Sequence, residues 1–391
     1  MSTKIILSAE KQQKIIQGHP WVFPNAIQKI MGQPQAGDWV EVFDANEHLI
    51  GGGFYNPHSL YRVRMLAHAS LMKKFKKWQD IIQYRLEQAI HLRKTLNFPN
   101  TQTDSYRLCN SESDSLSGLV IDVFHDVTVI SSSAYWVELQ REAILKILKK
   151  YFPEQKLVWL GQEKPLKQDG WYTPYRDEAK NLSTIAKEAG VQFEIHFDKV
   201  QKTGIYLDQR ENHERVAQLC KGKKVLDLYT YHGGFALHAA RAGASQVTAV
   251  DSSAAAIEHA KRNAKLNGVE QIEWVVEDAK KYLDHAKDYD VIILDPPKLV
   301  PSKKHLNQAK NLYRFLHRQV FRNMQSGSIL MTCNCSSALS TTEFIRLVSE
   351  QAIAELRQIQ ILGSYGPSIC HPVLPMFPEG NYLTAVLVCI L

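Results

Sequence analysis

From Val191 to Leu391 short apolar runs and helical patterns alternate with a regular beat. The runs are Val225–Leu228, Gln246–Val250, Ile272–Val276, Val291–Leu294 and Ser328–Thr332. A repeated strand and crossover helix predicts an α/β domain with a parallel sheet wound on both faces. The beginning of the chain reads differently. Between Lys4 and Ala67 the apolar runs are short and broken by Gly and Pro: Trp39–Phe43, His48–Ile50 before Gly51–Gly53, and Leu60–Met65. They predict a small β-rich domain. A short helix is expected over Glu10–Gln17, stopped at Gly18, and then an irregular His19–Pro24 that buries two aromatics. The middle predicts an α+β domain: a long helix over Leu71–Leu96, strands at Leu119–Phe124, Val127–Ile130 and Leu157–Leu160, and a helix over Val137–Tyr151. Gln162–Glu188 is polar and weakly patterned, which reads as a linker or flexible loop. Domain boundaries are placed at 1–70, 71–190 and 191–391.

A chain of 391 residues exceeds what one hydrophobic core serves, which fits this division. At 45% hydrophobic and 22% charged the composition is that of a folded protein throughout. Six scattered cysteines make no disulfide framework and suggest reduced thiols in a cytosol. No apolar stretch has the length of a signal-peptide core or a membrane span, so a soluble cytoplasmic protein is expected. The formal net charge of +7 is compatible with a polyanionic partner such as nucleic acid, without requiring one.

Ligands of doubly wound sheets bind beyond the C-terminal strand ends. The first strand, with Asp227, runs into Tyr229-Thr-Tyr231-His232-Gly233-Gly234-Phe235, where glycines allow a tight turn and close approach of a ligand. One Gly doublet supports neither a dinucleotide fingerprint nor a P-loop. The second strand ends at Asp251, placed to accept hydrogen bonds from ribose hydroxyls. Glu277-Asp278 follows the third, and Asp295-Pro296-Pro297-Lys298 the fourth. A single acid of this kind is routinely a helix cap; an ordered series at four strand ends is harder to explain so. Adenosine and ribose recognition without a phosphate cradle points to S-adenosylmethionine and hence to a methyltransferase. The fifth strand runs into Cys333-Asn334-Cys335, thiols at the same sheet edge. No second cysteine pair or histidine cluster completes a four-ligand metal site, so no metal is expected.

The whole chain resembles the ribosomal RNA large-subunit methyltransferase I family. His19–Phe23 is similar to the start of its N-terminal PUA domain, a β-rich RNA-binding module. Ser105–Asp122 is similar to its central signature, although Ser111, Ser113 and Ser115 stand where relatives tend to carry Gly. Gln201–Arg210 matches its most recognisable stretch. The resemblance implies a Rossmann-like class I methyltransferase domain with a seven-stranded, mostly parallel sheet. It implies that Thr203, Gly204, Tyr206, Asp208 and Arg210 line the cofactor pocket. It gives the methionine end to Tyr231, Gly233 and Phe235, ribose to Asp251, adenine to Asp278, and the border with the target base to Asp295 and Pro296. His232 stands where a small polar residue is expected. It further implies methylation of cytosine C5 in 23S ribosomal RNA, with Cys335 as the nucleophile that attacks C6 and Asp295 hydrogen-bonded to the base. A cytosine in a duplex cannot present C6, so the target is single-stranded or flipped. Arg62, Arg64 and the lysines of 73–77 are phosphate candidates, with a solvated surface as the plain alternative. A guanine-N7 or exocyclic-amine methyltransferase, or a non-catalytic RNA-binding factor, remains open, as does a homodimer.

Overall fold

The computed structural model describes residues 3–198, 204–299 and 306–391. They fold into two compact units. One comprises Met1–Ala186, Ile195–Gly204 and Cys370–Gly380; the other comprises Lys187–Glu194, Ile205–Ile369 and Asn381–Leu391.

In the first unit six strands form a sheet in the order Trp21–Val22, Val63–His68, Leu49–Tyr55, Trp39–Phe43, Lys4–Leu7, Ile27–Met31. Phe54, Leu66 and Ala67 from this sheet share one apolar core with Ile81, Leu86, Ile121, Trp136 and Trp159 of the central region, so the first seventy residues and the centre pack together. The central sheet has the order Lys156–Gly161, Val127–Ser132, Leu119–Phe124, Ser105–Asn110.

Several expected elements differ. The long helix is two, Ala69–Lys74 and Trp78–Thr95. Phe75 and Lys77 are extended between them, where the like charges of Lys73, Lys74, Lys76 and Lys77 disfavour a continuous turn. The helix expected over Val137–Tyr151 breaks at Gln140 into Tyr135–Leu139 and Arg141–Tyr151. The first helix shrinks to Gln13–Ile16, and Phe23 is 37% exposed, so His19–Pro24 does not bury both aromatics. Gln162–Glu188 is more than the linker or flexible loop expected. It holds a helix, Glu163–Gln168, and a strand, Ser183–Glu188, paired with Val191–His196. Ala189 and Gly190 between the strands both have positive φ, as a two-residue hairpin turn requires. That strand buries Thr184, Ala186 and Glu188 and exposes Ile185, an alternation that hydropathy inverts.

The central signature ties the first unit together. Ser111 and Ser115 adopt φ +50° and +59°, left-handed values that glycine takes at lower cost. Glu112 accepts from Trp21 Nε1 at 3.1 Å and from Ser117 Oγ at 2.7 Å. Arg64, expected at phosphate, is instead buried, donating to Ser117 Oγ at 3.0 Å and Asp169 Oδ2 at 3.3 Å. Arg93 is fully buried and grips both oxygens of Asp114, at 2.6 and 2.8 Å, while also donating to the carbonyls of Arg107 and Cys370. Removing that cation leaves a buried carboxylate uncompensated. Arg93→Ala is therefore expected to cost about 3–5 kcal/mol, read from urea unfolding.

The second unit is built on seven strands: β1 Lys224–Leu228, β2 Gln246–Asp251, β3 Ile272–Val276, β4 Val291–Leu294, β5 Ile329–Asn334, β6 Ile359–Tyr365 and β7 Thr384–Ile390. Their order is β3-β2-β1-β4-β5-β7-β6, with only the β7 pairings antiparallel. Helices α1 Arg210–Ala217, α2 Gly234–Arg241, α3 Ala254–Leu266, α4 Leu306–Asn323 and α5 Thr341–Ala354 accompany them. Alternation along the strands separates two cores. Leu226, Leu228, Ile292, Leu294 and Leu330 pack on one face, and Val225, Val247, Ile293, Met331 and Cys333 on the other. By the same period of two, Asp227, Asp295 and Cys335 continue the second face. Strand order reverses beside β1, which puts the switch point at the ends of β1 and β4.

Candidate active site

The chain leaves β1 under strain. Tyr229 and Tyr231 have φ +66° and +51°, and Gly233 has φ +85° before α2 begins. A Cβ on Gly233 would lie 2.9 Å from Trp274 Cη2, and one on Gly234 2.6 Å from His213 Cε1, so both positions need glycine. Asp227 fastens the turn, accepting from Thr230 Oγ1 at 2.6 Å and the Ala236 amide at 3.1 Å. Its other oxygen, Oδ1, is buried without a hydrogen-bond partner among the described residues. Burial raises its carboxyl to about 6.

Asp251 accepts from the amides of Tyr231 at 3.0 Å and Ser253 at 2.9 Å, which locks the end of β2 to the glycine turn. His232, the unexpected residue, stacks on Tyr231 with centroids 3.7 Å apart and lies beside His259. Burial holds it neutral, at about 3. It stiffens the turn without adding charge. Phe235 is buried against His213, so its side chain belongs to the core rather than to the cofactor face. Asp278 caps the turn after β3, accepting from the Lys280 amide at 3.0 Å.

At the end of β4, Gln209 Nε2 donates to Asp295 Oδ2 at 3.0 Å, and Asn212 Nδ2 donates to Gln209 Oε1 at 2.7 Å. Burial, then the nearby Asp208 and Asp227 carboxylates, raise Asp295 to about 7. Cys335 is half-buried, with Sγ 4.0 Å from the Pro296 carbonyl. Tyr206 and Tyr313, whose phenols are raised by burial first, both lie within electrostatic reach of Asp295 and Cys335, which gathers thiol, acid and two aromatics into one neighbourhood. Cys333 is fully buried below them, hydrogen-bonded with Gln209 and Asp295, and burial pushes its thiol far up.

The stretch before β1 divides. Tyr206 is exposed and packs edge-on against Tyr231 at 5.2 Å. Asp208 accepts from the Tyr382 hydroxyl at 2.6 Å. Arg210 is buried, tied to Glu211 and Ser368, so its guanidinium serves the fold. Gly204 falls in the first unit and packs on Phe124 and Ile195. Thr203 lies outside the described residues. Gln209, which holds Asp295, sits between two expected residues and was missed because an amide carries no charge to attract notice. Tyr313, on α4, leaves no sequence signal.

A family model for S-adenosylmethionine-dependent methyltransferases matches residues 136–362, and one for PUA-like domains matches residues 5–68. Across 401 residues the chain is 32% identical to ribosomal RNA large subunit methyltransferase I of Alteromonas mediterranea, covering 100% of this chain and 99% of the relative. The chain belongs to that methyltransferase family. The Enterobacter sp. protein of the same name is 31% identical, with 98% of each chain covered. The fold has solved counterparts: a structure assigned as a methyltransferase and complexed with S-adenosylhomocysteine (TM-score 0.83, 19% identity) and one from Streptococcus mutans (TM-score 0.81, 20% identity), each covering 100% of both chains.

The methyltransferase site fits its cofactor on its own residues. The glycine turn leaves backbone where side chains would intrude, and the buried Asp227 Oδ1, without a donor among the described residues, suits a cationic group such as the ammonium that S-adenosylmethionine carries. Gly233→Ala is expected to cost about 1–2 kcal/mol of stability. It should also weaken S-adenosylhomocysteine binding in calorimetry.

Among the described residues Glu188, His213 and His238 bring ligating atoms within 4.8 Å of one another, a cluster that the sequence reading did not foresee. Glu188 Oε1 and His213 Nδ1 are 2.6 Å apart. That is hydrogen-bond spacing, shorter than two atoms bonded to one ion at about 2.0–2.2 Å each adopt in a tetrahedral site.

Proposed function

We propose that this protein methylates cytosine at C5 in large-subunit ribosomal RNA through a covalent cysteine intermediate. The observation that carries the reading is the half-buried Cys335 thiol at the edge of β5, beside Asp295-Pro296. S-adenosylmethionine, when bound, supplies an electrophilic methyl group on its sulfonium. Asp227, Asp251, Asp278 and the turn of Tyr231 and Gly233 would hold it.

The chain's own groups act on the base. Cytosine C5 is a weak nucleophile, and addition of the Cys335 thiolate to C6 makes it enamine-like. Asp295, with its carboxyl near 7, can hold a proton at N3 during that addition, so negative charge does not build up on the ring. Once C5 is methylated, loss of its proton and expulsion of the thiolate restore the ring and the free cysteine. Cys333 stays protonated in its buried site and takes no part. Lys298, directly after the Asp-Pro-Pro turn, is exposed and not the aromatic that exocyclic-amine enzymes place there.

RNA reaches this site as a single strand or a flipped nucleotide. The exposed Lys73, Lys74, Lys76 and Lys77 offer charge for flanking phosphates, and the PUA-like region is a second RNA contact. The reaction would take place in the cytoplasm. The test is incubation with labelled cofactor and ribosomal RNA from cells lacking the gene, followed by nucleoside mass analysis. Label in 5-methylcytidine is expected; label in 7-methylguanosine or an N-methylated base would overturn the assignment.

A further inference from the structure

The second unit holds a buried imidazole that the proposed reaction does not use. His213, on α1, is 6% exposed, and its Nδ1 lies 2.6 Å from Glu188 Oε1. Glu188 is itself 1% exposed and comes from the strand Ser183–Glu188. Its other neighbour, His238, bonds through Nδ1 to the Gly234 carbonyl at 2.8 Å and through Nε2 to the Glu188 carbonyl at 3.2 Å. Both nitrogens of His238 therefore face backbone carbonyls, and in the neutral ring that burial favours only the protonated one donates. His213 is different. Its Nε2 has no hydrogen-bond partner among the described residues, and it faces the glycine turn: a Cβ built on Gly234 would lie 2.7 Å from it. Burial opposes a charge on the ring, but Glu188 outweighs it and favours the protonated form, and Asp295 and Asp227 lie close enough to add to that pull. In this state Nε2–H is a charged donor without an acceptor.

Across the same turn stands the opposite deficiency. Asp227 Oδ1 is buried with no donor among the described residues. The two groups feel one another's charge, yet neither satisfies the other by a hydrogen bond. A buried acceptor without a donor and an imidazole Nε2 left open at the same glycine turn match the two ends of a zwitterion.

We infer that His213 Nε2 receives the carboxylate of the cofactor's amino-acid end while Asp227 Oδ1 receives its ammonium, and that Glu188 is the positioning residue that holds His213 for this task. The inference rests on the cofactor assignment alone and is independent of which base is methylated. It also gives a reason for the buried Glu188. A carboxylate that fixes the ring orientation and favours its charged form makes a stronger and better aimed donor.

Calorimetric binding of two compounds separates this role from a structural one. S-adenosylhomocysteine carries the amino-acid group, and 5′-methylthioadenosine keeps the nucleoside but lacks it. His213→Gln is expected to weaken S-adenosylhomocysteine by about 10- to 100-fold, the loss of one charge-assisted hydrogen bond. Its affinity for 5′-methylthioadenosine should stay within about twofold of wild type. Glu188→Gln, which leaves the imidazole in place, should give the same selectivity with a smaller loss and stands in if His213→Gln does not fold. Equal loss of both compounds, or no loss of either, in whichever variant folds would overturn the inference. Wild-type protein that binds neither compound would overturn the cofactor assignment itself, a distinguishable result.

Discussion

Cys335→Ala is expected to lower methyl transfer to ribosomal RNA by on the order of 10³-fold or more while leaving S-adenosylhomocysteine affinity unchanged. The size of the effect follows from the chemistry of the base. Without addition at C6 the C5 carbon has little electron density to offer, and positioning alone does not supply it. The neighbouring thiol provides the control. Cys333 is fully buried, and its thiol is pushed far above the ordinary range by burial and by Asp295, so it does not ionise near neutrality. Cys333→Ala should therefore change the rate by less than about tenfold, through packing under Asp295 alone. Single-turnover assays with labelled cofactor compare the two variants. RNA carrying 5-fluorocytosine gives a second readout, because the proton whose loss releases the enzyme is absent. Wild type and Cys333→Ala should then form a denaturation-resistant adduct, and Cys335→Ala should not. Substantial activity in Cys335→Ala would remove the covalent step from the proposal.

The parts of this site that could be read in the sequence share a physical cause. Strand ends of a doubly wound sheet lie on one edge, so Asp227, Asp251, Asp278 and Asp295 could be grouped from the β-α rhythm before any coordinates. The glycine turn announced itself by residue type, and the structure adds why: Trp274 and His213 occupy the space a side chain would need. What stayed hidden depends on which way a side chain faces after folding. Arg64 looks like a phosphate ligand in a list of basic residues, yet it is buried against Glu112, Ser117 and Asp169. Glu188 sits on a strand whose buried side is polar, so hydropathy read the whole segment as loop. His213 gains meaning only through Glu188, twenty-five residues earlier in the chain, and through the turn beside it.

Asp295→Asn is expected to abolish most activity, by about 10²- to 10⁴-fold, and at the same time to stabilise the cofactor-free protein. The two effects have one origin. In the unfolded chain this carboxyl ionises near its ordinary 3.8; in the fold, burial and the Asp208 and Asp227 carboxylates raise it to about 7. Between these values the folded state binds more protons than the unfolded one, so its contribution to stability is fully present below about 4 and is lost as pH rises through 7. Asparagine cannot ionise and keeps an oxygen for the Gln209 amide, so it escapes the cost that ionisation imposes. Denaturant titrations should show the variant more stable than wild type by about 1–3 kcal/mol at pH 8, a range below the full shift because part of the carboxyl meets solvent. The difference should vanish toward pH 4. Activity moves the other way. A carboxyl that must hold a proton for the base loses it above about 7, and the wild-type rate at saturating cofactor should fall there. A variant no more stable at pH 8 than at pH 4, relative to wild type, would mean that Asp295 is not held protonated and cannot serve the ring in this way.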